Sequence, residues 1–290
     1  MGGENLKERA QAFQSKKRLG QHFLINQETL VRIAHSQDIS PLDHILEIGP
    51  GLGFLTSVLL ETGASITAVE LDIDCVKVLN DLTCPQLKVI HQDFLQCNLA
   101  EILEEKTKVI GNIPYQITTP ILCRLLGEIG EPTPWLKSIQ SIVLTVQQEL
   151  AKRLVARAGE DDYSQISVLV QYFTEAKLLF TVAPEDFYPI PEVTSAVVRL
   201  VPHVSPPVQC NDHKLLRQVV KAGFKQRRKM LKNNLSFLAY DQEIIMAVFD
   251  KLNFDPQVRA ERLDLQQFAL LANELSKTKQ SSKNNMSLSV

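Results

Sequence analysis

Glycine recurs at alternate positions where a short apolar run ends, in His44-Ile-Leu-Glu47-Ile-Gly49-Pro-Gly51-Leu-Gly53, and a helical apolar period follows at once. Such a strand–loop–helix turn admits positive φ and lets a ligand approach bare backbone, while the first N–H groups of the next helix offer donors. A tight turn needs glycine for steric reasons too, so the loop points to a nucleotide-like cofactor only in company. Company is present. The next apolar run, Ser65 to Leu71, carries an acid at Glu70, 21 residues after Gly49, where a doubly wound sheet places a carboxylate for ribose hydroxyls. A third run ends in His91-Gln-Asp93-Phe94, which puts a second acid at a neighbouring strand end, either as a helix cap or as an acceptor for a purine's exocyclic amine. A fourth ends in Gly111-Asn112-Ile113-Pro114-Tyr115. There Pro114 holds Ile113 extended, Asn112 supplies an amide oxygen and Tyr115 an aromatic face. Two acceptors and a stacking plate suit an amine on a flat base, although an Asn-x-Pro turn with a core tyrosine has the same letters.

These residues need strands ending on one side of a sheet. Strand patterns fall near 44–49, 65–70, 87–91 and 108–111, with helical patterns between them at about 54–62, 73–81 and 97–105. That alternation predicts a parallel sheet covered by helices on both faces. Upstream, Asn26 or Gln27 starts a helix over Leu30, Ile33 and Ala34. Downstream come a helix to about Leu126, a strand from Ile139 to Val146 and a helix from Gln147 to Ala156. Residues 164–173 suit helix or strand, and helix is preferred. Lys177–Val182 and Ser195–Val201 read as strands joined by the proline-rich Pro184–Pro191, an antiparallel hairpin closing the sheet. Composition shifts at Pro202–Pro207, which places a linker there, and Asp212 to Glu274 reads as helical. At about 100° per residue Leu216, Val220, Phe224, Leu231 and Leu235 share one stripe, with Lys225, Arg228, Lys229 and Lys232 to one side and Arg227 on the stripe itself. The cations are either a solvated helix face or a surface for a polyanion.

Composition bounds the rest. With 290 residues and 44% hydrophobic content the chain can bury a large α/β domain and a small appendage. A net charge of −2 leaves no whole-molecule field for a polyanion, so any nucleic-acid surface must be a local cluster. The five cysteines, Cys75, Cys84, Cys97, Cys123 and Cys210, form no Cys-x-x-Cys pair, which fits reduced thiols in a cytoplasm and no metal site. Met1–Gln21 is polar and mixed in charge, unlike a secretory signal, and no apolar run reaches membrane-spanning length. His22, beside Phe23 and Leu24, reads by chemistry alone as a packed or exposed histidine.

Taken in order, Glu47 to Gly53, Glu70, Asp93-Phe94 and Asn112 to Tyr115 resemble a class I S-adenosylmethionine-dependent methyltransferase of the amino-methylating kind. With Gly20-Gln-His-Phe-Leu24, Phe187-Tyr-Pro-Ile-Pro-Glu-Val-Thr-Ser195 and Phe224-Lys-Gln-Arg-Arg-Lys229 added, the chain from about 15 to 275 resembles the ribosomal RNA adenine dimethyltransferases, in particular the branch acting on small-subunit 16S RNA. The resemblance implies an α/β, Rossmann-like fold, mostly parallel with an antiparallel hairpin, plus a small all-α C-terminal domain. It implies a flexible stretch over 1–15, a methyltransferase domain over 16–204, a helical RNA-binding domain over 210–275 and a disordered tail over 276–290. His22, Leu24, Gly49 and Gly51 would hold S-adenosylmethionine with Glu70 on its ribose and Asp93 on its adenine. Asn112, Ile113, Pro114 and Tyr115 would hold the target adenine, Asn112 also adjoining the cofactor, with Phe187 as a second aromatic; alternatively, Phe187 only pins the proline loop. Lys225, Arg228, Lys229 and Lys232 would meet 16S RNA within the small subunit or its precursor, the enzyme acting as a monomer. Rival readings are a nicotinamide oxidoreductase, which would need a glycine where Phe54 stands, a 23S RNA methylase of the antibiotic-resistance type, and a non-catalytic assembly or transcription factor on the same fold.

Overall fold

The computed structural model describes residues 5–16 and 19–287, with side chains as far as 278. Chain order is α1 (Leu6–Ala12), β1 (Phe23–Leu24), α2 (Gln27–His35), β2 (His44–Ile48), α3 (Phe54–Leu60), β3 (Ser65–Glu70), α4 (Ile73–Asn80), β4 (Leu87–His91), α5 (Leu99–Ile102), β5 (Thr107–Asn112) and α6 (Thr118–Leu126). There follow β6 (Gly127–Glu128), β7 (Glu131–Pro132), β8 (Ile139–Gln147), α7 (Gln148–Val155), α8 (Gln165–Phe173), β9 (Thr174–Val182), β10 (Phe187–Tyr188) and β11 (Ser195–Pro202). The remainder is helical: α9 (His213–Gly223), α10 (Leu231–Leu235), α11 (Gln242–Lys251) and α12 (Leu265–Ser287).

Two compact units result. The first holds residues up to 126, 133–151 and 175–202. Its sheet runs β4-β3-β2-β5-β8-β11-β9, with β4 to β8 parallel through β3, β2 and β5 and β11 antiparallel to β8. Every residue of β2 is buried, as a central strand covered on both faces requires. Strand order reverses between β2 and β5: β3 and β4 continue on one side and β8 on the other. Ligands of open α/β sheets bind outside the strand ends at such a switch point. The second unit gathers 127–132, 152–174 and 203 onward, so it begins before the proline-rich stretch and is not continuous in sequence. In this helical unit the Phe224 ring packs against those of Tyr163 and Phe268, each 5.9 Å away.

Several expectations change. The stretch expected to be flexible over 1–15 contains α1: Asn5 caps it by accepting the Lys7 N–H, Ala10 is wholly buried and the Arg9 guanidinium lies 5.1 Å over the Phe54 ring. Residues 1–4 lie outside the described residues, as do Lys17 and Arg18. The helix read over 97–105 shrinks to the single turn of α5, because Asp93 starts a separate 3-10 turn over Phe94–Gln96. The single helix read across 213–235 is broken: α9 ends at Gly223 and 224–230 is a turn. A Cβ on Gly223 would meet Ala260 at 3.1 Å and Leu231 at 3.2 Å, so the two helices fold back closely at this point. Residues 276–287, expected to be disordered, continue α12 as helix, since each residue added to a helix anchored by Phe268, Leu271 and Leu275 costs little. Residues 288–290 lie outside the described residues.

Candidate functional site

A cavity of about 200 Å³ opens in the first unit at the switch point. Its walls include His22, Leu24, Glu47, Gly49, Gly51, Glu70, Asp93, Asn112, Ile113, Pro114 and Tyr115. Five separate stretches of chain therefore meet here, four of them at strand ends.

Gly49 and Gly51 have φ of +64° and +57°, a conformation that side chains with a Cβ rarely adopt. Gly51 is also short of space, since a Cβ there would lie 2.9 Å from the Phe23 ring. Its N–H donates to Glu70 Oε2 at 2.9 Å, while Glu70 Oε1 accepts the Asp72 N–H at 2.7 Å. Glu70 thus braces the loop from beneath. Burial pushes its carboxyl above the usual range, against the pull of these N–H groups. Each oxygen keeps a second lone-pair direction for a ligand hydroxyl. Asp93 does cap the following 3-10 turn, accepting the Leu95 N–H on Oδ1 at 2.9 Å, and lines the cavity as well. Capping uses one oxygen of the carboxylate.

A further part of the wall is set by His22. Its main-chain carbonyl accepts Asn112 Nδ2 at 3.0 Å, which fixes the orientation of that amide. Its Nδ1 lies 2.7 Å from the Pro189 carbonyl, and because a carbonyl only accepts, Nδ1 carries the hydrogen. Its ring stacks on Tyr115, centroids 6.0 Å apart and planes 18° from parallel. The Tyr115 hydroxyl is tied to Ser195 Oγ at 2.6 Å, so neither ring nor hydroxyl is loose. Burial raises the Tyr115 phenol. Gly111, just before Asn112, packs so closely on β2 that a Cβ would meet the Ile48 carbonyl at 2.8 Å.

Phe187 is not brought to the cavity. It is 1% exposed, pairs with Leu24 in the two-stranded sheet of β1 and β10, and belongs to the apolar core, so pinning the proline loop is the role its position supports. Lys225, Arg228 and Lys229 lie on the turn after α9 and Lys232 on α10, in the second unit; they do not share one helix flank. Arg227, read as facing an apolar stripe, is exposed and donates to the Asp161 main-chain carbonyl.

Two features were missed. Glu47 is 1% exposed in β2, lines the cavity and leaves Oε2 without a partner. Burial pushes its carboxyl up to about 8, the nearby Glu70 adding to the shift and the Thr56 hydroxyl opposing it. A lone acid inside a strand of Ile and Leu was the available signal. The second is a clasp: Lys16 Nζ pairs with Asp72 and lies 2.8 Å from Asp74, and Gln21 Nε2 donates to Asp72 at 2.8 Å, fastening the segment before His22 to the corner after β3. Although burial works against it, the bonds from Lys16 and Gln21 hold the Asp72 carboxyl below its usual range.

Three buried or half-buried acids round one cavity favour a ligand carrying positive charge, and the Asn112–Tyr115 wall favours a flat base with an amine. The family profile described as ribosomal RNA adenine dimethylase matches residues 12–277. Ribosomal RNA small subunit methyltransferase A of Hahella chejuensis is 40% identical over 263 residues, covering 89% of this chain and 92% of the relative. The protein of that name from Picosynechococcus is 40% identical over 270 residues, covering 90% and 97%. Among solved structures, a dimethyladenosine transferase from Plasmodium falciparum aligns with a TM-score of 0.72 at 22% identity, over 88% of this chain and 97% of that one. The 23S rRNA methyltransferase ErmE aligns with a TM-score of 0.67 at 24% identity, over 88% and 99%.

Proposed function

The chain belongs to the ribosomal RNA adenine dimethylase family, and from that membership we propose that it transfers methyl groups from S-adenosylmethionine to N6 of adjacent adenosines near the 3′ end of small-subunit 16S RNA, giving N6,N6-dimethyladenosine. One observation carries the reading: Asn112 Nδ2 is committed to the His22 carbonyl, which leaves Oδ1 as the acceptor at the switch point, in the cavity that Tyr115 and the acids also line. The small-subunit branch is favoured by relatives at 40% identity that bear its name.

The cavity suits the proposed cofactor. Its unpartnered Glu47 oxygen calls for a cation, and the cofactor is a sulfonium with an ammonium group. His22, Leu24, Gly49 and Gly51 would enclose its methionine end with Glu47 against positive charge; Glu70 would accept from the ribose hydroxyls and Asp93 from the adenine amine. When bound it supplies an electrophilic methyl.

The protein's work is then on the acceptor. The N6 lone pair is delocalised into the ring and is a poor nucleophile. Asn112 Oδ1 and the Ile113 carbonyl accept from the amine, favour a pyramidal nitrogen and stabilise the positive charge that grows there as the methyl arrives in line. Tyr115, held by Ser195 and His22, offers a fixed plate on which a base turned out of its helix can stack. The proton leaves to water.

The test is direct. Incubation with S-adenosylmethionine and unmodified small subunits, then digestion of the RNA and mass analysis, should yield N6,N6-dimethyladenosine. Transfer to large-subunit RNA alone would move the chain to the other branch, and none to either would support the non-catalytic reading.

A further inference from the structure

The turn between α9 and α10 is basic and held in shape from within. Asn234, 1% exposed in α10, donates Nδ2 to the carbonyls of Gly223 at 2.7 Å and Gln226 at 3.1 Å. Arg227 ties the turn to the Asp161 carbonyl. Lys225, Arg228 and Lys229 remain exposed on it. Arg228 and Lys229 have no ion-pair partner among the described residues.

Further along the chain, Phe237 lies on the 3-10 turn Ser236–Leu238 that Ala239 closes with a left-handed φ of +56°. It is 48% exposed, the one aromatic among the exposed large apolar side chains of the described residues. Lys225 Nζ lies 3.6 Å from its ring centroid. A single exposed apolar side chain is ordinary, but this ring carries the Lys225 ammonium, on a turn that also bears Arg228 and Lys229, and a charged partner for the ring does not suit an apolar groove. Both suit a single-stranded polyanion, whose binders combine cations along the backbone with aromatic plates for the bases. A cation against the ring draws π density and makes the ring a better plate for an electron-rich base.

We propose that Phe237, with Lys225 against its ring, is a stacking platform for an unpaired nucleobase of small-subunit RNA, and that Arg228 and Lys229 hold the phosphates beside that base. This rests on the functional reading above, and to the RNA contact already expected of these cations it adds a base-stacking residue, Phe237.

Purified small subunits lacking the dimethyl mark are the probe, titrated at several salt concentrations. Phe237→Trp should bind within about two-fold of the parent, whereas Phe237→Leu and Phe237→Ala should each bind about ten-fold more weakly, the scale of one lost base stack. Their salt slope should match the parent's, because no charge is removed, while Lys225→Gln should flatten it. Phe237→Leu binding as tightly as the parent would overturn the platform, since an apolar contact would then suffice. A benzophenone side chain placed at 237 and irradiated on the subunit should give a nuclease-sensitive adduct. An adduct with a ribosomal protein, or none, would also overturn it. A parent that binds but does not respond to Phe237 leaves the functional reading standing, whereas a parent that neither binds nor methylates the subunit removes both.

Discussion

Asn112 donates from Nδ2 to the main-chain carbonyl of His22 across 3.0 Å, and this bond fixes the amide so that Oδ1 is the end left to accept. Asn112→Ala should therefore lower the rate of methyl transfer at least about a hundred-fold, the scale of one lost polar contact to developing charge. Cofactor affinity should stay within about three-fold, because the amide is assigned to the target amine. Single-turnover rates and calorimetry on the same variant separate the two. Near-normal turnover would remove Asn112 from the role given to it.

Glu70 serves the loop and the proposed ribose site together. Glu70→Ala strands the N–H groups of Gly51 and Asp72 that now end on its carboxylate. Cofactor affinity should fall at least about ten-fold, the worth of a charged hydrogen bond. The melting temperature should fall by a few degrees, which a thermal melt of the protein alone will show. Retained S-adenosylmethionine affinity would mean that the ribose is held elsewhere.

Glu47 should make stability and binding depend on pH. Its carboxyl titrates at about 8 when folded against an ordinary value of 4.5, so between those limits the folded chain holds a proton that the unfolded chain has lost. Stability then falls as pH rises from about 5 to about 8 and levels off above. A cation in the cavity reverses the preference, so cofactor affinity should rise over the same window with release of a proton. Urea midpoints and calorimetry in buffers of different ionisation heat measure both. Glu47→Gln should flatten both profiles, and unchanged slopes would assign them to another group.

Lys225, Arg228, Lys229 and Lys232 changed together to Gln should flatten the dependence of log affinity for the small subunit on log salt by at most about four units, and by less for folded RNA. Cofactor affinity should not move. Arg227 is left in place because it secures the turn to Asp161. An unchanged slope would return these cations to a solvated surface.

The glycines after β2, the residues ending β3 and β5 and the acid just beyond β4 were legible because a mainly apolar run that gives way to Gly, Glu, Asp or Asn announces which end meets the ligand. Glu47 escaped attention for the opposite reason, lying inside such a run. Phe187 could not be placed from spacing: along a two-residue strand, neighbours point to opposite sides, and pairing with Leu24 sends Phe187 inward and leaves Tyr188 half-buried. The break after Gly223 was invisible because the apolar period of Leu216 and Val220 continues to Leu231 and Leu235 whether or not the residues between are helical. Nothing in Asn5-Leu-Lys-Glu stands apart from a polar tail until Ala10 is seen packed in the core.

β11 is the last strand along the chain, yet it sits inside the sheet between β8 and β9. Its Ser195, the partner of the Tyr115 hydroxyl, lies 80 residues after that tyrosine, and Pro189 lies 167 residues after the His22 that donates to it. By contrast, Glu47, Gly49, Gly51, Glu70 and Asp93 are all synthesised within the first third of the chain. The emerging polypeptide thus holds every residue of the wall assigned to the methyl donor long before the acceptor's wall has its supports. A chain stopped short of Ser195 would carry the donor side of the site with an unanchored tyrosine facing it.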